Sequence, residues 1–298
     1  MRARVIINPS SGRQTLQKKA ERLTETLLAD GTFSDVDVVR TVGPRDAYIA
    51  ARYYQDWQFD LILVVGGDGT VNEVVSGLLD GKHQTPLAIL AAGTVNDFAY
   101  AMQLPRSDSA VAKMIRQGKT RLIDVGQAND RYFVNVAAGG LLTDVAYKVP
   151  TDAKTVLGTL AYVIEGARDL SSQALRPIPV HIETPDRIID KEILLFIVSN
   201  TSSVGGFRNL APQASVTDGL LDVVLVKPQN LLELFPLLVQ MVNGVHVNHP
   251  KIDYFQTSTL KIMTAHPETL SIDLDGEWGG ELPVELTVKH QALRLVVP

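Results

Sequence analysis

The chain has 298 residues, of which 45% are hydrophobic and 20% are charged, enough for one large domain or two ordinary ones. This composition excludes a wholly disordered chain, a collagen-like chain and a coiled coil. The net charge of −5, from 28 basic and 33 acidic residues, gives no sign of a nucleic-acid binder, which usually carries a basic excess. The sequence has no cysteine, which excludes a disulfide framework, a thiolate metal site and a cysteine nucleophile, and fits a cytoplasmic protein.

As far as Thr120, the sequence alternates between short apolar runs and longer stretches with helical periodicity. The strand-like runs are Arg4–Ile7, Val36–Val39, Leu61–Val65 and Leu87–Leu90. The helical stretches that follow them are Thr15–Leu28, Pro44–Tyr54, Val71–Leu79 and Ser107–Gln117. Continuous apolar strands that alternate with helices are typical of a parallel sheet covered on both faces. We therefore predict an open α/β domain over residues 1–123, with ligands bound beyond the carboxyl ends of its strands.

After Gly118 the pattern changes to short strand-like pieces separated by turn residues. These pieces are Tyr132–Val136, Val180–Glu183, Ile193–Val198, Leu221–Val226, Ile252–Phe255, Leu260–Met263, Leu270–Leu274 and Val284–Val288. Only Val156–Leu170 and Leu231–Met241 have clear helical periodicity. We predict a mainly antiparallel β domain over residues 124–290, followed by a C-terminal strand over 291–298 that belongs to either domain.

No segment of the sequence predicts a membrane span. The apolar stretch Leu231–Val242 is shorter than the roughly 20 residues that cross a bilayer, and Glu233 and Pro236 interrupt it. The apolar part of the N-terminus is too short for a signal peptide. We therefore expect a soluble protein, or one that rests on a membrane surface.

The strongest chemical signal is the glycine-rich run Gly66–Asn72, which joins an apolar strand to a helical pattern. Glycines at such a turn let the backbone approach a phosphate, and the N–H groups that open the helix point at the anion. Asp68 lies inside the turn. A carboxylate beside a phosphate needs a cation or a hydroxyl donor between them, so Asp68 suggests Mg²⁺ or a proton-bearing group of the substrate. The G-x-G-x-x-G pattern of dinucleotide-binding turns is absent from this turn.

Two further strand ends have the same character. Ile7–Arg13 is a strand end followed by a small-residue loop and a cation, and Leu90–Asp97 is a strand, a glycine turn and a helix start. The carboxyl ends of parallel strands meet at one edge of a sheet, so the three loops are expected to line a single cleft. Together they predict a site for a nucleoside triphosphate.

Three motifs in this order resemble the diacylglycerol kinase catalytic-domain family: Asn8-Pro9-x-Ser11-Gly12, Gly66-Gly67-Asp68-Gly69-Thr70-x-Asn72-Glu73 and Gly93-Thr94-x-Asn96-Asp97-Phe98. Later segments are similar to the soluble bacterial branch of that family: Gly206–Pro212, Asp218–Asp222 and Asp275-Gly276-Glu277. The resemblance covers essentially the whole chain. The Gly-Gly-Asp-Gly turn alone is shared with NAD kinases and phosphofructokinases, whereas the set of motifs is specific. The family implies a nucleotide domain, a β-sandwich domain and an active site between them.

The resemblance implies an ATP- and Mg²⁺-dependent lipid kinase, with diacylglycerol converted to phosphatidic acid as the expected reaction. It places ATP on the residues Asn8, Pro9, Ser10, Ser11, Gly12, Thr41, Gly66, Gly67, Asp68, Gly69, Thr70, Val71, Asn72 and Thr94. Thr41 also fits on its own, because it follows the second strand-like run at the same sheet edge. The implied partner is a lipid reached from the cytoplasmic side of the membrane, without nucleic acid, and a homodimer stays open.

Catalytic and metal-binding roles also follow from the resemblance. Glu277 matches the family's proton acceptor, Asp68 would orient the catalytic Mg²⁺ through water, and Asp97 would lie near the acceptor hydroxyl. A second, structural Mg²⁺ maps to a loop in which Asp218 offers a side-chain oxygen. Ser215 and Leu220 would add backbone carbonyls to that site.

Two positions depart from the family pattern. Tyr100 stands where many members have Arg, and Glu165 stands where related kinases can have Lys. These missing cations leave open a regulator that binds lipid or nucleotide without catalysis. A second alternative is an NAD kinase-like phosphotransferase, because the Gly-Gly-Asp-Gly turn is shared with NAD kinases and Gly158–Tyr162 is similar to a motif of that family.

Overall fold

The computed structural model describes residues 1–10, 15–55, 58–141, 176–264 and 269–298. The chain divides into two compact units, Met1–Val125 with His290–Pro298, and Gly126–Lys289. The helix predicted over Val156–Leu170, and with it Glu165, lies outside the described residues. Among the helices that are described, none is both long enough and apolar enough to cross a membrane.

The first unit contains a parallel sheet of apolar strands flanked by helices. Its strands are β1 (Arg2–Ile7), β2 (Asp35–Arg40), β3 (Leu61–Gly66) and β4 (Leu87–Ala91). Its helices are α1 (Thr15–Ala29), α2 (Asp46–Arg52), α3 (Asp68–Asp80), α4 (Asp97–Ala101) and α5 (Asp108–Gln117). The strand order is β2-β1-β3-β4. The order reverses beside β1, and such a switch point opens a crevice at the carboxyl ends of β1 and β3.

The second unit is built from antiparallel sheets. The strands that follow β4 are β5 (Thr120–Ala128), β6 (Arg131–Phe133), β7 (Val136–Gly140), β8 (Ile178–Glu183), β9 (Ile188–Ile193), β10 (Leu195–Ser199), β11 (Leu221–Val226), β12 (Ile252–Thr257), β13 (Thr259–Thr264), β14 (Ser271–Leu274), β15 (Glu277–Glu281) and β16 (Val284–Val296). One sheet has the order β12-β11-β10-β7-β14-β15, and β16, β13, β8 and β9 neighbour one another in the other. The last residues of β16 belong to the first unit, where Leu295 pairs with Leu87 of β4.

The two sheets of the second unit share one buried core. Phe196 and Val198 of β10 lie in the same cluster as Ile262 of β13 and Leu286 of β16, as expected for a β-sandwich. The predicted fold class, an open α/β domain followed by a mainly antiparallel β-sandwich, is confirmed.

The outer face of β10 is covered by helix α6 (Leu231–Val242). Leu195 and Ile197 of β10 pack in one buried cluster with Leu237 and Met241 of this helix. The apolar helix that the sequence predicts at this position is therefore explained by burial of its side chains in the unit's own core.

Several strand predictions need correction. The predicted strand Tyr132–Val136 is two strands, β6 and β7, with a break at residues 134–135. Strands β5, β9 and β15 were not among the predicted runs. Three charged residues, Asp190–Glu192, interrupt the apolar pattern of β9, and β15 contains two glycines, so neither sequence is a continuous apolar run. Each of these two strands lies at the end of its sheet order.

One fully buried histidine makes the stability of the second unit depend on pH. His246 follows α6 and is 0% exposed. Burial lowers the pKa of His246 below 6.5, an effect that the backbone of Leu210 and Gln240 opposes only in part. The unfolded chain therefore binds a proton that the folded chain excludes. The contribution of neutral, buried His246 to the unfolding free energy is complete above about pH 6.5. It is lost as the pH falls toward the lowered pKa of His246.

We expect the variant His246→Leu to lose less of its unfolding free energy than the wild type between about pH 7.5 and about pH 5.5. Urea unfolding at both pH values measures this difference. His181, whose pKa is raised chiefly by its hydrogen bond to Asp190, acts in the opposite direction but is present in both proteins and cancels. Equal losses in the two proteins would show that His246 does not carry the effect.

Candidate functional site

The predicted nucleotide-binding residues of the first unit lie at the carboxyl ends of its parallel strands. Residues 8–10 follow β1, Thr41 follows β2, Gly66 ends β3 and Thr94 lies in the loop after β4. The N–H group of Thr41 donates to the carbonyl of Ile7 at 2.9 Å, so this residue continues the pairing of β2 with β1. Ser11 and Gly12 lie outside the described residues.

The glycine-rich run differs from the prediction in where its helix begins. The sequence predicts a helix from Val71, but α3 begins at Asp68, with Gly67 in an extended conformation at the N-cap. An acidic residue in the first turn favours this early start through the helix dipole. Gly69 and Thr70 therefore belong to the first turn of α3. The N–H groups of a first helical turn are the ones that can bind an anion such as a phosphate.

A hydrogen bond joins the loop after β1 to the start of α3. The side-chain amide of Asn8 donates to Oγ1 of Thr70 at 2.8 Å. The Oδ1 atom of Asn8 accepts the N–H group of Ser10 at 3.0 Å, which shapes the loop itself. Asn8 thus bridges the crevice between β1 and β3 and fixes the geometry of both sides.

A second set of contacts joins α3 to the loop after β4. The Oδ2 atom of Asp68 accepts the N–H group of Asn96 at 2.9 Å. The Oδ1 atom of Asn96 in turn accepts the N–H group of Gly93 at 2.7 Å. A Cβ atom at Gly93 would lie 2.8 Å from the Cα atom of Gly67, so the two backbones approach closely and Gly93 has to be a glycine. The three predicted loops therefore meet at one edge of the sheet.

Asp97, the first residue of α4, is buried, with 8% of its surface exposed. It directly follows Asn96, whose N–H group is bound by Asp68. Asp68 and Asp97, two carboxylates of the predicted catalytic set, are therefore linked through Asn96. Asp68 accepts the N–H group of Asn96, and Asp97 is the next residue in the chain. The role that the resemblance gives to Asp97, near the acceptor hydroxyl, stays a prediction.

The close packing behind the glycine-rich run predicts a large effect of Gly66→Ala. The new Cβ atom would lie 2.5 Å from the Cβ atom of Thr70, so the first turn of α3 must shift. We expect a loss of about 1–3 kcal/mol in unfolding free energy from overpacking. Gly43→Ala is the matched control, because its Cβ atom would meet nothing within 4 Å. Thermal unfolding of the two variants measures the difference, and equal stability would contradict this packing argument.

Glu277, the predicted proton acceptor, is the first residue of β15 in the second unit. It pairs with Leu274 of β14, and only Asp275 and Gly276 separate the two strands. Both of these residues have positive φ angles, 53° and 91°, the combination that a tight type I′ hairpin turn requires. Glu277 is exposed and follows a turn that is defined at the backbone level.

The loop before β11 contains the oxygen atoms of the predicted structural metal site. The N–H group of Leu220 donates to Oδ1 of Asp218 at 3.0 Å, and Ser215 Oγ lies 3.2 Å from Oγ1 of Thr217. A carboxylate, hydroxyls and carbonyls are the hard oxygen donors that Mg²⁺ prefers. The described residues hold no cluster of three or more His, Cys, Asp or Glu side chains suited to a metal, so a cation here would rely on carbonyls and water.

A neighbouring acid supports the fit of a cation in this loop. Burial raises the pKa of Asp222, and the negative charge of Asp218 raises it further, although hydrogen bonds from Tyr254 and Gln256 oppose the change. A cation held by Asp218 would reduce this repulsion. The residues present therefore fit Mg²⁺, and the assignment of Ser215, Asp218 and Leu220 stays a prediction.

Comparison with known proteins decides the family. The model of the diacylglycerol kinase catalytic domain matches residues 2–128, and that of the YegS C-terminal NAD kinase beta sandwich-like domain matches residues 136–297. A protein of Bacillus subtilis (strain 168) named diacylglycerol kinase is 39% identical over 298 residues, which is 100% of this chain and 96% of that protein. The chain belongs to the diacylglycerol kinase catalytic-domain family. The resemblance seen in the sequence is confirmed, and the chain is a kinase.

Other relatives agree with this assignment. A diacylglycerol kinase of Staphylococcus epidermidis (strain RP62A) is 34% identical over 297 residues, covering 100% of this chain and 92% of the relative. A solved diacylglycerol kinase-like protein of Bacillus anthracis str. Sterne has a TM-score of 0.85 at 26% identity, covering 100% of this chain and 95% of that chain.

The sequence did not reveal which residues hold the predicted site together. Asn96 and Asp275 appeared only as letters of motifs, yet Asn96 joins two loops and Asp275 orders a turn. Both residues have positive φ angles, 55° and 53°, a conformation that Asn and Asp adopt more readily than most other residues, so the residue type at a turn was the available signal.

Proposed function

We propose that this kinase transfers the γ-phosphoryl group of ATP to the hydroxyl group of diacylglycerol, giving phosphatidic acid and ADP in a Mg²⁺-dependent reaction. The observation that carries the proposal is the meeting of three loops at the carboxyl edge of the parallel sheet, joined by Asp68 and Asn8. Relatives at 33–39% identity are named diacylglycerol kinase, which supports the choice of acceptor.

In the proposed site the phosphates of ATP lie against the N-terminus of α3. The first-turn N–H groups that follow Gly67 would bind phosphate oxygens, and the glycines let the phosphates approach the backbone. Mg²⁺, when bound, would offset the negative charge of the phosphate oxygens. Asp68 is the carboxylate that would hold the ion, and its bond to the N–H group of Asn96 fixes the orientation of its side chain.

Glu277 is proposed as the general base. The hydroxyl oxygen of the acceptor attacks the γ-phosphorus, and its proton passes to the carboxylate of Glu277. The bond between the γ-phosphorus and the bridging oxygen of ADP breaks in the same step. An exposed carboxylate on a hairpin whose turn is defined at the backbone level suits this role, because it is free to accept a proton from a bound hydroxyl group.

One alternative acceptor has a specific observation in its favour. The model that matches residues 136–297 is described as NAD kinase beta sandwich-like. This description concerns the fold, and the relatives named diacylglycerol kinase match the chain over its full length. Diacylglycerol is therefore the proposed acceptor, and NAD serves as the alternative in the test.

Initial rates with a panel of acceptors test the proposal. The purified protein receives ATP, Mg²⁺ and one acceptor at a time, either a lipid in mixed micelles or soluble NAD. The lipids are diacylglycerol, monoacylglycerol, undecaprenol, a sphingoid base and phosphatidylglycerol. We expect the highest kcat/KM with diacylglycerol and no reaction without Mg²⁺. A higher kcat/KM with NAD or with another lipid would overturn the proposed acceptor.

A further inference from the structure

A short segment of the second unit, residues 134–136, has all of its backbone hydrogen-bonding groups bound by two other residues. Residues 134–135 separate β6 from β7, and Val136 is the first residue of β7. The three N–H groups donate to the side chain of Asp275, and the three carbonyls accept N–H groups of Asn200 and Asp275. Backbone groups at a break of this kind need partners, and here two residues distant in sequence supply them.

Asp275 binds one side of the segment. Its Oδ2 atom accepts the N–H group of Val134 at 2.6 Å. Its Oδ1 atom accepts the N–H groups of Asn135 at 2.8 Å and of Val136 at 2.9 Å. The backbone N–H group of Asp275 donates to the carbonyl of Val136 at 3.0 Å. Hydrogen bonds to an ionised carboxylate are among the strong ones in proteins, so this contact fixes the turn that carries Asp275.

Asn200 binds the opposite side. Its side-chain amide donates to the carbonyl of Val134 at 2.9 Å, and its backbone N–H group donates to the carbonyl of Asn135 at 2.8 Å. Asn200 is 1% exposed. The hydroxyl group of Thr201, which is buried as well, donates to Oδ1 of Asn135 at 3.0 Å. The segment is therefore held within a buried network of polar groups, and such networks are rigid when their members are paired.

We propose that Asp275 is the positioning residue for Glu277, and that Asn200 and Thr201 support it by fixing the segment to which Asp275 binds. This inference rests on the proposed function, in which Glu277 is the general base. Glu277 begins β15, whose glycines and polar residues give it little apolar surface to bury. β15 is at the end of the strand order of its sheet, so it pairs with β14 alone in that order. The hydrogen bonds of Asp275, two residues before Glu277, therefore anchor the hairpin.

The chemistry of the contact explains why a carboxylate is required. The Asp275 side chain accepts the N–H groups of residues 134, 135 and 136, and a carboxylate is a pure acceptor. The amide of Asn would turn an NH₂ group toward at least one of these donors. Asp275→Asn preserves size and shape but breaks part of the contact, so the turn moves. We expect kcat to fall by about 100-fold, as for a misplacement of a reacting group by about 1 Å.

The test is a double-mutant cycle on kcat with ATP and diacylglycerol. The four proteins are the wild type, Asp275→Asn, Glu277→Gln and the double variant. If Asp275 acts through Glu277, the double variant has the same kcat as Glu277→Gln, because a misplaced base and a missing base cannot both cost rate. The KM for ATP stays within about twofold, since the predicted ATP residues lie in the first unit. Asp190→Asn, an exposed acid of the same unit, is the control with wild-type kcat.

A fluorescence measurement reports the position of the turn without relying on activity. The chain has two tryptophans, and Trp278 follows Glu277 directly with 55% of its surface exposed. In a Trp57→Phe background we expect Asp275→Asn to change the quenching of Trp278 by acrylamide, whereas Asp190→Asn leaves it unchanged. If Asp275→Asn does not fold, Thr201→Val replaces it, with a smaller loss of kcat of about tenfold and the same lack of additivity.

The outcomes separate the two claims. Two results overturn the positioning role while the proposed base stands. One is wild-type kcat in Asp275→Asn. The other is a double variant whose kcat lies below that of Glu277→Gln by the same factor by which Asp275→Asn alone lowers kcat. Wild-type kcat in Glu277→Gln overturns the proposed base, and the positioning role falls with it. Both claims are supported if each single variant loses kcat, the double variant has the same kcat as Glu277→Gln, and the quenching of Trp278 changes.

Discussion

Replacing Glu277 with Gln should lower kcat by about 100- to 10,000-fold, the usual contribution of a general base. Gln has nearly the same size and the residue is exposed, so the unfolding free energy should not change measurably. The KM values for ATP and for diacylglycerol should stay near those of the wild type, because proton transfer is needed only in the transition state. Steady-state kinetics of phosphatidic acid formation measure all three parameters.

The same strand provides the matched control. Glu281 ends β15, is exposed like Glu277 and pairs with Ser271 of β14. Glu281→Gln removes one negative charge from the same hairpin and should keep wild-type kcat. A large loss in both variants would mean that the charge of the hairpin, and not a base at Glu277, supports the rate. Wild-type kcat in Glu277→Gln would show that another group accepts the proton.

Replacing Asp68 with Asn should lower kcat at physiological Mg²⁺ by about 100-fold, because groups that orient a metal ion typically contribute 10- to 100-fold to affinity or activity. Asn retains an oxygen that can accept the N–H group of Asn96, so the contact between α3 and the loop after β4 should persist. The variant loses the negative charge but keeps the fold. Raising the Mg²⁺ concentration should recover part of the rate, whereas raising the ATP concentration should not.

Asp108 provides the comparison for Asp68. It lies in the first turn of α5, as Asp68 lies in the first turn of α3, and belongs to the same unit. Asp108→Asn should change the stability of its helix slightly and leave the Mg²⁺ dependence of kcat unchanged. If Asp68→Asn and Asp108→Asn show the same Mg²⁺ dependence as the wild type, Asp68 does not orient the ion.

The sequence predicts the parallel sheet and the glycine-rich loops because these features depend on local patterns. Strands β3 and β4 are continuous apolar runs, β1 closes with the apolar run Val5–Ile7, and each of the three ends in a loop of small and polar residues. The order of motifs then indicates the family, which the comparisons confirm. The start of α3 at Asp68 was missed because three glycines within four residues normally indicate a loop, and only the N-cap geometry of Gly67 and the packing of Thr70 show otherwise.

The features that hold the predicted base in place cannot be read from local patterns. Asp275 contacts residues 134–136, which are about 140 positions away in the sequence. The run Tyr132–Val136 looks like one strand because its residues have high strand propensity, yet the carboxylate of Asp275 binds the N–H groups that a strand would pair. Strand β15 was missed for a related reason, since glutamates and glycines make up four of its five residues and its backbone pairing with β14 defines it.

The measurement that tests the central claim most directly is the transfer of label from γ-labelled ATP into lipid. The wild type and Asp68→Asn are incubated with Mg²⁺, diacylglycerol in mixed micelles and, in a parallel tube, NAD. The account predicts labelled phosphatidic acid with the wild type, strongly reduced label with the variant, and none in the NAD tube. Label in phosphorylated NAD, or no labelled product from either acceptor, would contradict it.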